Sequence, residues 1–410
     1  MSQPKKILIH YTHKGTLGHT TRIQRLCREL VTTYGASVNV HLLQGGQPQP
    51  FITFPRQVHL IQIPAPFDSR ESFHAANKLR THKHLRAHFV LEMAKRIQPD
   101  IFLTEFFPFG RQDYTPELLP AIRWLRQTTC RIYASVGYPC SVDLIDHQNT
   151  RLAHERMEII TLYDKILIHT PPDLENKYFQ QTLPTKSLQE NYDNFFKTIA
   201  DKTIYTGYMV PARPGRTPRR AAMLYNKNNA HTIIVSRGGG AVYPGVIINA
   251  IRAQRLLGDK FHFIIASGPS TSPAEKTAFQ ITLKKTASTT VRLLDDIPDL
   301  PYFLEHAATS VNLCGYNTSV QLMQAGGNGI VIPFINTHSP LPSNEQTARA
   351  LLLRDHAACS ILPYDQLTPE SLATMIQEKF SKGKTPLSLP DAWFQGAAKT
   401  TALLMAKTVC

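Results

Sequence analysis

Two doubly wound α/β domains joined by an unpacked linker are the architecture this sequence predicts, and three observations predict it. Short apolar runs of β type alternate with helical stretches along most of the chain, which is the pattern of a mostly parallel sheet. The alternation stops at Met209 to Arg220, a stretch rich in proline and arginine and poor in residues that pack, and then restarts in the same form. With 410 residues, 42% of them hydrophobic, the chain is long enough for two cores, and one such unit would not use it up.

The first domain is expected over residues 1–208. Lys6 to Tyr11 reads as a buried first strand, and further β-type runs fall at Ser37–Gln44, Val58–Ile63, Ile101–Phe106, Cys130–Val136, Lys165–His169 and Thr203–Thr206. Helical stretches fall at Thr20–Tyr34, His82–Ile97, Pro116–Gln127 and Gln148–Tyr163. After the linker at 209–220, the second domain is expected over 221–390. Its strands fall at Thr232–Ser236, Phe261–Ala266, Val291–Leu294, Ser310–Leu313 and Gly329–Pro333; its helices fall at Val246–Leu257, Glu275–Thr286, Leu300–His306, Ser319–Ala325 and Gln346–Leu353. A last apolar helix within 391–410 is free to dock on either domain.

The most informative segment runs from Ser310 to Ala350. A strand leads into Cys314-Gly315-Tyr316-Asn317-Thr318, and a helix beginning just after Gly315, with Asn317, Thr318 and Ser319 in its first turn, points unpaired backbone N–H groups and a positive dipole end at one spot. That spot suits an anion, most simply a phosphate. About thirty residues on, Glu345 and Gln346 stand at the mouth of the next helix, after a strand ending on the same edge of the sheet. A carboxylate beside a carboxamide suits hydroxyls, although acidic residues also favour the first turn of any helix. Phosphate plus polyol suggests a nucleotide sugar.

A second glycine turn, Gly15-Thr16-Leu17-Gly18-His19, follows the first strand. Two glycines let the backbone turn sharply there, although every doubly wound fold has glycines in that place. His19 begins the helix, where the dipole disfavours imidazolium, and a neutral imidazole accepts a proton; the plain alternative is a helix cap. Glu105 ends a strand at the same edge and is a second candidate base. In the second domain Ser236, Arg237, Gly238, Gly239 and Gly240 form another glycine turn, with Arg237 as a ligand for a diphosphate or as a surface arginine. Asp295 and Asp296 do not suggest a metal, because adjacent strand residues point to opposite faces and a turn before Pro298 explains them.

Net charge is +15, which suits an acidic partner: a nucleotide sugar, an anionic lipid surface or nucleic acid. The lack of a concentrated basic stripe with interleaved aromatics argues against nucleic acid. The basic run from Arg70 to His88 reads as a solvated helix face, with an acceptor or membrane-surface loop as the alternative. Six scattered cysteines have neither a C-x-x-C pair nor metal-ligand spacing, as expected of reduced thiols in a cytoplasmic protein. No apolar signal core opens the chain and no run approaches the roughly eighteen apolar residues of a membrane helix, so a soluble or at most peripheral protein is expected.

Taken in order, these motifs resemble the two-Rossmann-domain (GT-B type) nucleotide-sugar glycosyltransferases, specifically the MurG-like, family 28-like group that uses UDP-N-acetylglucosamine. The resemblance is carried by Gly15 to His19, Ser236 to Ala241, Leu294 to Pro298, Gly315, and Glu345 to Ala350. It implies a donor held mostly by the second domain, an acceptor on the first, reaction in the cleft between them, inversion at the anomeric carbon, and neither metal nor cofactor. Two departures stand out. Gln321 occupies the position where the family has a ribose-binding glutamate, and a neutral amide is a weaker acceptor. Glu345-Gln346 replaces a pair of amides. The expected function is therefore transfer of a sugar to an acceptor hydroxyl from a nucleotide-diphosphate donor, a UDP-sugar first, with His19 then Glu105 as base. A nucleotide-sugar epimerase of the same fold and a basic nucleic-acid or membrane-surface binder are the alternatives.

Overall fold

A computed structural model describes residues 3–13, 17–46, 48–49, 52–63, 75–110, 112–137, 150–172, 174–210, 231–239, 242–297, 300–335, 345–384, 387 and 389–406. The first sheet has seven parallel strands: β1 (Lys5–Thr12), β2 (Val38–Gly45), β3 (Val58–Gln62), β4 (Ile101–Glu105), β5 (Arg131–Val136), β6 (Lys165–Ile168) and β7 (Thr203–Tyr205), in the order β3-β2-β1-β4-β5-β6-β7. Its helices are α1 (Gly18–Tyr34), α2 (Ala75–Ile97), α3 (Thr115–Leu125), α4 (Thr150–Thr161), α5 (Leu174–Thr182) and α6 (Lys186–Thr198). The second sheet has six parallel strands, β8 (Thr232–Ser236), β9 (His262–Ala266), β10 (Val291–Leu294), β11 (Thr309–Leu313), β12 (Gly329–Ile332) and β13 (Ser360–Ile361), in the order β10-β9-β8-β11-β12-β13. With it come α7 (Gly245–Leu257), α8 (Pro273–Thr286), α9 (Leu300–His306), α10 (Tyr316–Gln324), α11 (Glu345–His356), α12 (Pro369–Lys382) and α13 (Gly396–Met405). Two Rossmann-like domains are the result.

Local chemistry explains the elements. The centre of β1 is buried throughout, so it reads as a continuous apolar run rather than an alternating one. Helix α1 packs Ile23, Leu26, Cys27 and Leu30 into the core at helical spacing and ends at Gly35, whose φ of 49° favours glycine. Helices α8 and α12 start with capping boxes, Ser272 with Glu275 and Thr368 with Ser371, each followed by a proline in the first turn.

Helices α5 and α6 are elements the periodicity does not predict. Between them only Glu175, Tyr178, Phe179 and Tyr192 are buried, an apolar stripe too thin to read in sequence. The basic run is corrected in part: Lys83, His84 and His88 are exposed, but Arg86 is buried and ion-paired with Glu117 through Nε at 2.6 Å. Residues 70–74 and the linker at 211–220 lie outside the described residues.

The last helix returns to the first domain. Helix α13 packs against α1, Leu404 is fully buried in the β1–β2 core, and Lys5 Nζ donates to the Leu404 carbonyl at 3.2 Å, a cation at a helix C-terminus. Its approach runs beside the outgoing chain: the Tyr208 N–H donates to the Trp393 carbonyl at 2.5 Å and the Gly396 N–H to the Tyr208 carbonyl at 3.0 Å. Cys27, Cys130, Cys314 and Cys359 are buried free thiols. Among the described residues, no helix is long and apolar enough to cross a membrane.

Candidate active site

In an open parallel sheet the loops diverge where the strand order reverses, leaving a crevice at the carboxyl ends of the strands. Here those points lie between β1 and β4 and between β8 and β11. Loops from both line one cleft of about 680 Å³, a size usual for ligand sites.

On the first domain, α1 begins without a side-chain cap and places His19 in the cleft wall. Its Nδ1 lies 3.1 Å from Oε1 of Glu105, the last residue of β4. Glu105 is 3% exposed and also accepts from Arg22 Nε at 3.0 Å and from Ser135 Oγ at 2.6 Å; Arg22 Nη2 completes an ion pair. Burial alone would push this carboxyl up, but the Arg22 charge, then the His19 contact, hold it at about 2. An ionised carboxylate only accepts, so in this contact Nδ1 carries the proton and Nε2 is the acceptor nitrogen of the ring. Beneath, Ser135 Oγ meets His169 Nε2 at 2.9 Å and His169 Nδ1 meets Thr206 Oγ1 at 2.8 Å; burial keeps His169 neutral, at about 3. Phe106 has a left-handed φ of 68°, a strain of about 1–3 kcal/mol for a bulky residue, and sets its ring 5.4 Å from that of His19.

On the second domain, α10 starts at Tyr316 behind Gly315, whose extended backbone carries no capping side chain, and Gly315, Tyr316, Asn317 and Thr318 line the cleft. Its N-terminal N–H groups and dipole end therefore open on that space. Ser236, Gly238 and Gly239 line it after β8. Gly238 has a φ of 71°, and a Cβ on Gly239 would stand 2.3 Å from the Leu17 side chain, so glycine is what lets the two domains approach here. Glu345 and Gln346 open α11 at the cleft, and Gln321 is also on its lining. Glu345 is ion-paired with Arg349, which outweighs burial and lowers its carboxyl, and Gln346 Oε1 accepts from the Phe334 N–H at 3.0 Å.

Of the sequence-predicted residues, His19, Gly18, Ser236, Arg237, Gly238, Gly239, Gly315, Tyr316, Asn317, Thr318, Gln321, Glu345 and Gln346 line this one cleft; Gly15 and Gly240 lie outside the described residues. Four expectations change. Glu105 sits beneath His19 rather than on the cleft wall, held by Arg22 and Ser135, so it is not a second base of equal access. Arg237 is 1% exposed, and its guanidinium donates to Ser267 O at 2.6 Å, Thr271 Oγ1 at 2.9 Å and Glu275 Oε1 at 3.0 Å, which ties β8 to the next loop instead of presenting the group to a ligand. Ser319 is buried and off the lining. Asn317 turns its amide to the other domain, donating to the Gly18 carbonyl at 3.1 Å and accepting from Arg25 Nη1 at 2.9 Å.

Sequence reasoning missed Arg22, Arg25 and Arg349, all buried. A signal existed: Arg22 and Arg25 follow His19 at three-residue spacing, beside the apolar Ile23, Leu26 and Cys27, where solvated arginines are not expected. Among the described residues no three His, Cys, Asp or Glu side chains gather as a metal site, and Asp295 pairs with Lys276 at 2.7 Å.

Residues 238–404 match the glycosyltransferase family 28 C-terminal domain. The second domain is a glycosyltransferase domain. With its two Rossmann-like domains around one cleft, the chain has the GT-B fold of glycosyltransferases, and its second domain carries the family 28 match. Solved structures share the fold across both domains. Acinetobacter baumannii MurG is similar at a TM-score of 0.52 and 16% identity, covering 98% of this chain and 99% of its own. Phytolacca americana UGT2, complexed with UDP-2fluoro-glucose and pterostilbene, is similar at 0.57 and 13%, covering 98% and 94%. The UDP-GlcNAc 2-epimerase of Methanocaldococcus jannaschii is similar at 0.55 and 10%, covering 97% and 98%. No curated protein matches the chain in sequence.

Proposed function

We propose that this glycosyltransferase moves a sugar from a UDP-sugar to an acceptor hydroxyl with inversion at the anomeric carbon, His19 serving as the base. The observation that carries the reading is the opposition, across one cleft, of the His19–Glu105 pair to the uncapped start of α10 with Glu345 and Gln346. In this reading residues 1–208 hold the acceptor and 221–390 the donor. Nε2 of His19 takes the proton of the acceptor hydroxyl as its oxygen bonds to the anomeric carbon. The bond from that carbon to the diphosphate oxygen breaks, and the N–H groups at the start of α10 and in the Gly238–Gly239 turn receive the growing charge. Glu105 keeps Nδ1 protonated and Nε2 basic. Glu345 and Gln346 take hydroxyls of the sugar. A single displacement of this kind inverts configuration.

The positive net charge then serves a nucleotide sugar rather than nucleic acid, and the buried free thiols suit the cytoplasm. UDP as the nucleotide is supported by the two similar structures whose names carry it. A thermal-shift panel of UDP-, GDP- and dTDP-sugars with the bare nucleotides tests the donor, because a ligand of the folded state alone raises its melting temperature by mass action. UDP-sugars shifting the protein most, followed by slow UDP release from that donor in water, is the expected result. Conversion of the donor alone into a different sugar nucleotide would instead mean an epimerase, and no shift from any sugar nucleotide would overturn the reading.

A further inference from the structure

We propose that Arg22 is the positioning residue for His19, and that it makes the alignment of the base depend on the donor domain. The inference rests on the reading of His19 as base. Arg22 lies one turn after His19 on α1 and is 4% exposed. Its Nε is 3.0 Å from the same Glu105 oxygen that His19 Nδ1 contacts; its Nη2 also comes within 3.3 Å of Nδ1, a close approach of two donors when Nδ1 donates to the carboxylate. Ser135 holds the other carboxylate oxygen at 2.6 Å. With both oxygens fixed, the carboxylate has one orientation to offer the imidazole, and Arg22 sets it.

The same guanidinium lies over the ring of Tyr316, Cζ to centroid 4.9 Å, at the start of α10 in the other domain. Tyr316 is anchored back to the first domain: its hydroxyl donates to the His169 carbonyl at 2.6 Å and accepts from the Met209 N–H at 3.2 Å. Arg349, the partner of Glu345, approaches the same ring at 5.8 Å. One tyrosine thus stands between the cation that holds Glu105 and the cation that holds Glu345. The charged and titratable groups around Arg22 are His19 and Arg25 on α1, Glu105 ending β4, His169 following β6, Tyr316 on α10, and Glu345 and Arg349 on α11. Gly137 makes room for the arrangement: a Cβ there would stand 2.4 Å from both Cζ and Nη1 of Arg22.

Histidine side-chain NMR on the full chain, without ligand and with His19→Gln for assignment, reads the effect directly. In the unaltered protein His19 should be protonated at Nδ1 in its neutral form. Arg22→Gln should mix the two tautomers and let the ring take up its second proton at a higher pH, since a neighbouring cation has gone. Arg22→Lys should restore the charge effect but not the single tautomer, because an ammonium lacks the fork. Gly137→Ala, which displaces the flexible guanidinium without deleting it, should reproduce the mixed tautomers and carries the test if Arg22→Gln does not fold. An unchanged tautomer and unchanged titration in folded Arg22→Gln or Gly137→Ala would overturn the proposal. Failure of the base reading is seen separately, as undiminished turnover in His19→Ala.

Discussion

Nδ2 of Asn317 donates to the Gly18 carbonyl at 3.1 Å, so the first turns of α10 and α1 are tied across the cleft. The same amide accepts from Arg25, whose burial lowers it to about 10 and whose Nη1 also donates to the Met209 carbonyl at 2.6 Å. Asn317→Ala should lose about 1–3 kcal/mol of interdomain contact, since it leaves a buried arginine short of an acceptor. Hydrogen exchange should quicken in the first turns of α1 and α10 while the sheet amides stay protected. Unchanged exchange at both helix starts would show that the domains are held by something else.

His19→Ala should cut turnover about a hundredfold or more, with UDP affinity nearly unchanged, as loss of a general base does. Glu105→Gln should cost about tenfold to a hundredfold, because an amide beside Nδ1 no longer selects the productive tautomer. UDP release from a UDP-sugar measures both. Near-normal turnover in His19→Ala together with collapse in Glu105→Gln would transfer the role of base to the carboxylate.

Glu345→Ala should weaken the sugar nucleotide more than UDP, by about 1–3 kcal/mol for a lost hydroxyl contact. Calorimetric titration with each ligand separates the two. Equal losses would mean that α11 reads the nucleotide and not the sugar.

Arg237→Ala should act on stability. It leaves the Ser267 carbonyl and Glu275 without their cation, and Glu275 is held at about 2 first by its hydrogen bond from Arg237. Glu275 stays partly open to water, so the cost is that of the buried Ser267 carbonyl and Thr271 hydroxyl losing their donor, about 1–3 kcal/mol. Denaturant unfolding should show that loss, while the folded fraction retains its UDP affinity; the reverse pattern would return Arg237 to the ligand site.

Glu175, on α5 at the seam with α11, is raised to about 7, first by burial and only partly offset by Arg349, whose Nε lies 3.8 Å away. A carboxyl raised in the folded state contributes stability that is fully present below about pH 4.5 and lost as pH rises through 7. Glu175→Gln should therefore match the unaltered protein near pH 5 and exceed it at pH 8 by about 1–3 kcal/mol. Chemical unfolding at the two pH values checks the sign. Glu105 has the opposite one: its contribution is present above about pH 4.5 and lost as pH falls through 2.

The sheets were legible because buried parallel strands such as β1 and β8 are unbroken apolar runs, and the sites at their ends because a glycine turn marks where a strand gives way to a helix. Local signals placed Gly18, Gly238 and Gly315 at the cleft. What depends on distant partners was not legible. His19 and Glu105 are 86 residues apart, and whether Glu105 competes with the histidine or supports it is decided by Arg22 and Ser135; the spacing of Arg22 marks it as buried, but not the carboxylate it meets. The inward turn of Arg237 was hidden for the same reason: its turn is local, but the acceptors that its guanidinium meets come from the loop after β9 and from α8.

The return of α13 to the first domain means that the chain passes between the domains twice, and the two passages are stitched together at Tyr208, Trp393 and Gly396. A Cβ on Gly396 would sit 2.1 Å from the Gly207 carbonyl, so they run as close as backbones can. Two strands of chain bound at one place act as a pivot. A rotation of one domain against the other would be held at Tyr208. Met209, whose N–H donates to the Tyr316 hydroxyl, is bonded next to that pivot and would move little in such a rotation.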